Sequence, residues 1–281
     1  MRNSGSKLET SLLLGPVILM FLFGFAVPII SFLWTSIAEI GSLSEIAATF
    51  VRTAGSRAAI SAMITSNMIA LVVTLCALLI AYPVAAYLCL AGRFRFTLVI
   101  FCIVVPYFTS MIVRTYSWMI LLGRNGVVNN TLMSLGITDA PLALLYNRFG
   151  VIVGMTYILL PYMILTLFAA MKSVDPSFMR AARSLGAGRF YAFRRIYFPL
   201  TAHGVVSGSL IVFILAVGFF ITPALMGGPQ DTMTAMLIQR SVEIMFDWTS
   251  AAILSIQLLV VTLAIYFVYY WVTDSKKMMG A

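Results

Sequence analysis

Charge is scarce in this chain, with 9 Asp or Glu and 18 Lys or Arg in 281 residues, and there is a single histidine. At 62% hydrophobic residues the chain carries more apolar surface than a soluble domain needs, which makes it a polytopic membrane protein. The three cysteines, Cys76, Cys89 and Cys102, lie inside apolar runs with neither CxxC nor metal-ligand spacing, and read as small core residues. His203 stands beside Pro199 and Gly204 without carboxylate or cysteine neighbours, so it reads as a loop-end residue rather than a ligand. No GxxxxGK[ST] stretch occurs, so the chain cannot cradle a nucleotide phosphate in the P-loop manner. No metal, cofactor or catalytic residue is expected here, and an energy source has to sit in another subunit. The first apolar run, Ser11 to Trp34, is too long for a signal-peptide core and lacks a small-x-small site after it, so no cleavable signal is expected.

What the chain does have is a series of apolar runs. They predict an all-α protein, a single transmembrane domain over residues 1–281, with six spans at about 11–34, 60–88, 97–122, 151–171, 205–225 and 251–272. Pro83 is expected to bend the second span. Pro106 with Thr109 and Ser110 interrupts the third. The fourth contains Pro161 and the fifth ends at Pro223. A proline in a span is tolerated where neighbours or water satisfy the freed backbone, so Pro106, Pro161 and Pro223 are candidates for lining a polar path or for simple packing kinks.

Residues 172–204 form the long polar, basic island of the second half. Asp175–Pro176 is a helix start, and Phe178, Ala181, Ala182 and Leu185 recur at helical spacing. Gly186 is the expected left-handed cap, and a second short helix should run from Gly188 to Phe198, before Pro199. An amphipathic basic helix on lipid headgroups would share part of this pattern. The spacing Ala181-Ala182, Gly186-Ala187 and Pro199 resembles the EAA loop of binding-protein-dependent ABC importer permeases, with Arg180 where that family has Glu. The resemblance implies a type I ABC importer permease fold. It also implies that Phe178, Arg180, Ala181, Ala182, Leu185, Gly186, Ala187 and Pro199 couple the permease to an ATPase.

Basic residues fix the expected sidedness. Six spans place both termini on one side, with Arg2, Lys7, Arg93, Arg95, Lys172, Arg180, Arg183, Arg189, Arg194, Arg195, Lys276 and Lys277, twelve of the eighteen. That side is expected to be cytoplasmic, and the net charge of +9 then needs no nucleic acid to explain it. Glu39, Glu45, Asp139, Asp231, Glu243 and Asp247 fall on the opposite side, and Glu9, Asp175 and Asp274 on the cytoplasmic one.

Arg114 lies within the third span, where an ionisable group is costly and functional by default, and an ion pair with an external carboxylate is the favoured expectation. Tyr116, Trp118, Phe219, Phe220, Asp231, Glu243, Asp247 and Trp248 are the candidate substrate-path residues, since carboxylates beside aromatic faces suit an organic ammonium ion. Interfacial aromatics occur in any membrane protein, so a purely anchoring role also fits them. Glu243 and Asp247, four apart, are expected to share a helix face.

The stretches 114–130, 144–165 and 218–228 are similar to the permeases of spermidine/putrescine importers. The resemblance implies a subunit in a bacterial inner membrane, paired with a second permease, two cytoplasmic ATPases that hold ATP and Mg, and a periplasmic substrate-binding protein. Related permeases carry iron, opines or other small organic solutes. An ion-gradient secondary transporter is the rival class, but all nine acidic residues can be placed outside the apolar runs, which removes the usual coupling carboxylate.

Overall fold

The computed structural model describes residues 14–38 and 42–278, and every regular element among them is helical. Helix α1 covers 14–38, α2 Leu43–Ala54, α3 Arg57–Leu90, α4 Arg93–Val104, α5 Met111–Leu122 and α6 Val127–Ser134. They are followed by α7 Arg148–Lys172, α8 Pro176–Ser184, α9 Arg189–Val217, α10 Ile221–Met226, α11 Thr234–Glu243 and α12 Trp248–Met278. Five helices are long and apolar enough to cross a membrane, and six spans result if the bent pair at 93–134 counts as one. Arg2, Lys7, Glu9, Glu39 and both chain ends lie outside the described residues.

The core is three helices, α3, α7 and α9, packed on one another. Helix α3 turns a file of small residues inward: Ala70, Ala77, Ala81 and Ala85 are fully buried, as is Val73. Met155, Leu159, Met163 and Leu167 of α7 fill the opposite wall. In lipid there is no hydrophobic drive between helices, so close backbone approach and interhelical hydrogen bonds hold them. Helix α9 supplies both. A Cβ at Gly204 would run into the Cβ of Ala170, and one at Gly208 would sit 2.9 Å from Met163 Sδ. Thr201, fully buried, meets the Tyr82 hydroxyl at 3.1 Å.

Outside this core, α1 presents its apolar side chains outward and touches the rest near its end, through Phe32 against Trp248 and the Thr249 hydroxyl on the Ser36 carbonyl. Helix α12 is tied to α9 by the Tyr269 hydroxyl on the Val206 carbonyl, 3.0 Å.

One expected span is interrupted where its sequence suggested, and another has different bounds. The third is not a single rod: a 3-10 turn at Val105–Phe108 and the non-helical pair Thr109-Ser110 separate two arms bent by 106°. Proline removes a backbone donor, and the turn it starts leaves Thr109 extended (φ −81°, ψ 150°). The fifth span begins at Arg189 rather than near 205, and its helix ends at Val217 rather than 225. The expected short helix before Pro199 is its first turns. Pro199 does not stop the helix because the turn before it is widened: the N–H of Phe198 bonds Phe193 O in a π turn over Phe193–Tyr197, where the ladder absorbs the missing donor. Residues 218–220 then break the chain before α10.

Candidate functional site

Helix directions divide the molecule into two ends. One carries the α3–α4 turn, the last turn of α7, α8 and the start of α9. The other carries the start of α7, α10, α11 and the start of α12.

At the first end, α8 is built as its sequence suggests. Asp175 caps it, accepting from Ser177 N at 2.8 Å, and Pro176 takes the first helical position. That N–H, with the Ser177 hydroxyl and more weakly Arg180, holds the exposed Asp175 carboxyl below the usual carboxylate range. Gly186 has φ +84° with open space around it, so its constraint is conformational and not steric. The N–H of Gly186 bonds Arg183 O and that of Ala187 bonds Ala182 O, both 3.0 Å, which closes the helix end. Phe178 and Leu185 stand out from the body, 52% and 88% exposed, flanked by the exposed Arg180, Ala181 and Arg183. Ala182 departs from the expected shared face: it is buried and seats the helix, while Phe178, Ala181 and Leu185 remain outward. Beside α8, Phe190, Tyr191, Arg194, Arg195 and Pro199 line a hollow of about 680 Å³. Lys172 closes this end, its ammonium 5.4 Å from the Phe168 ring centre and 5.7 Å from that of Phe96.

At the opposite end the expected set of carboxylates is dispersed. Asp231 is buried: it pairs with Arg148 Nε at 3.1 Å and accepts from Gly228 N at 3.1 Å. Glu243 accepts from Gln239 Nε2 at 2.7 Å on the last turn of α11. Asp247 is not on that helix. The chain reverses between them, with Phe246 at φ +52°, and Asp247 accepts from Ser250 N at 2.9 Å at the start of α12. Their four-residue spacing therefore gives no shared helix face. Trp248 is edge-on to Phe32, and Trp118 edge-on to Tyr157. Phe219 packs on the core, and Phe220 sits beside it in the 218–220 break. Tyr116 lines a hollow of about 640 Å³ with Arg124, Leu142 and Tyr146.

The structure adds residues that composition did not mark. Thr115 of α5 and Thr222 of α10 are both fully buried and share a hydrogen bond of 3.1 Å, which joins the helices that follow the two chain breaks. Tyr107 and Tyr162 are joined hydroxyl to hydroxyl. A shared signal could have found them, since each directly follows a proline of a span, Pro106 and Pro161. Arg114 lies with its guanidinium carbon 5.7 Å from the Tyr107 ring centre. Among the described residues no carboxylate is within ion-pair range of it, so the expected ion pair is replaced by a ring face.

A sequence model of the family described as "Binding-protein-dependent transport system inner membrane component" matches residues 87–275. The chain belongs to this family. It is 36% identical over 200 residues to the spermidine/putrescine transport system permease protein PotB of Haemophilus influenzae, covering 71% of this chain and 70% of that one. It is 34% identical over 209 residues to PotB of Escherichia coli strain K12, covering 74% and 76%. Among solved structures, a bacterial alginate ABC transporter in complex with an alginate pentasaccharide-bound periplasmic protein superposes with a TM-score of 0.74 at 19% identity, covering 95% and 96% of the two chains. That likeness shows the fold, an all-helical one, and the family match with the PotB identities makes the chain an ABC importer permease.

Proposed function

We propose that this permease is a membrane subunit of an ATP-driven importer of polyamines, spermidine and putrescine among them. The observation that carries the substrate class is the 34–36% identity, over 70–76% of each chain, to permeases of spermidine/putrescine systems. In the complete importer this chain pairs with a second permease. Two ATPase subunits bind ATP and Mg on the cytoplasmic side, and a substrate-binding protein delivers polyamine from the periplasm. Arg93, Arg95, Lys172, Arg180, Arg183, Arg189, Arg194 and Arg195 cluster at the α8 end, which supports reading that end, and both termini, as cytoplasmic.

In this reading α8 is the contact to the ATPase. Its exposed Phe178 and Leu185 enter an apolar groove, and Arg180 meets an acidic patch there. The cap at Gly186 and the buried Ala182 hold α8 stiffly against the start of α9, so a push on α8 is passed to a core helix. At the periplasmic end Tyr116 and its hollow are the substrate-path element the geometry favours.

The test is uptake. The permease is co-reconstituted in vesicles with its second permease, ATPases and binding protein, and labelled spermidine and putrescine are supplied with internal or external ATP. ATP-dependent accumulation of either supports the reading. Accumulation of ferric iron or an anionic solute with none of polyamine overturns the substrate assignment. One relative carries iron in its name, a putative ferric transport system permease of Haemophilus influenzae, 30% identical over 60% of this chain and 27% of that one.

A further inference from the structure

We infer that Arg114, held on the face of Tyr107, is the charge barrier that keeps the resting permease closed to small cations. The inference rests on reading the chain as one wall of a translocation path.

The third span is broken at 105–110, and Tyr107, Phe108, Thr109 and Ser110 are all exposed on the isolated chain. Lipid cannot cover that break, since non-helical backbone at membrane depth occurs only against protein or water. Arg114 follows it by one helical turn: its N–H bonds the carbonyl of Ser110. An arginine so placed faces the bundle interior or a water-filled cavity and not hydrocarbon. Its Nε is buried without a hydrogen-bond acceptor, and no carboxylate among the described residues neutralises it. What faces it instead is the Tyr107 ring, which is itself fixed by the hydroxyl of Tyr162 on α7. Among the described residues no ion pair therefore offsets the guanidinium's charge. A fixed positive charge in a constriction repels cations, as in pores that exclude them by electrostatic barrier.

This arrangement suits an importer of polycations. A resting path for such a substrate would otherwise admit potassium and sodium. A barrier built from one arginine acts on every cation, so the substrate has to pass while the barrier is withdrawn. The Tyr107–Tyr162 bond spans the α4–α5 break and core helix α7, and relative movement of these two elements carries the charge off the path. Pro161 lies inside α7 and donates no backbone hydrogen bond, so movement there breaks one bond fewer than elsewhere on the helix.

The assembled complex, in potassium-loaded vesicles without ATP or binding protein, gives the readout: potassium efflux by ion-selective electrode. Arg114→Gln and Arg114→Met are expected to raise efflux about tenfold or more, whereas Arg114→Lys, which keeps the charge, stays near wild type. Tyr162→Phe, which releases Tyr107 but keeps the charge, is expected to leak to an intermediate degree. Wild-type efflux in either neutral variant, or equal leak in Arg114→Lys and Arg114→Gln, overturns the proposal, because shape rather than charge would then matter. The same vesicles report ATP-driven polyamine uptake. Unchanged leak with uptake present sinks the barrier alone, and absent uptake by wild type sinks the substrate reading alone.

Discussion

Asp231 and Arg148 make an ion pair of unequal burial: their side chains are 7% and 41% exposed and meet at 3.1 Å. The pair joins the start of core helix α7 to the loop that follows α10, so it fixes the α10 end of the broken fifth span.

The inequality sets the direction of a mutational test. Arg148→Ala strands a buried carboxylate and should cost about 3–5 kcal/mol. Asp231→Ala leaves a guanidinium that can turn to water and should cost less, about 1–2 kcal/mol. Thermal unfolding of the detergent-solubilised complex checks the order, and equal losses would contradict it.

Gly204 against Ala170 gives a second test. Gly204→Ala brings two Cβ atoms together on the α7–α9 seam and should destabilise by about 1–3 kcal/mol. Adding Ala170→Gly should restore most of it, since the clash is with that Cβ. Yield of folded protein and melting temperature are the measurements, and no rescue by the double variant would show that the seam is not limited there.

At the α8 end, Gly186→Val forces a β-branched residue to φ near +84°, at a strain of about 1–3 kcal/mol. Assembly should survive, while uptake and the ATPase rate coupled to it fall. Gly186→Asn, which tolerates this region better, should retain more of both. Normal uptake in Gly186→Val would remove α8 from the coupling path.

Arg180→Glu reverses an exposed charge on the same helix. We expect weaker association with the ATPase subunit, read by co-purification at low and high salt, because an acidic patch would then be repelled. Unchanged or stronger association would show that no acidic patch faces this position.

Asp247→Ala should lower stability by about 1 kcal/mol, through loss of the cap on α12, and leave the half-saturating substrate concentration unchanged. A selective rise in that concentration would return Asp247 to the substrate path.

The class of molecule was legible in the order of the amino acids. Apolar run length, scarce charge and the lack of a nucleotide loop need no tertiary information, because the bilayer imposes its length on any spanning helix. The start and cap of α8 were legible for the same reason: Asp175, Pro176 and Gly186 act on their own backbone within a turn. Pro199 was the exception at short range, since a wider turn could absorb the proline and let α9 run on. Which polar groups meet was settled by packing between elements. Asp231 is spent on Arg148, Asp247 on a helix end, and Arg114 on a tyrosine ring held by Tyr162. Arg148, Tyr107 and Tyr162 lie on other elements than the residues they meet, and the reversal at Phe246 takes Asp247 off the helix that carries Glu243. Periodicity places a residue on a face but carries no information about which distant face comes to rest against it.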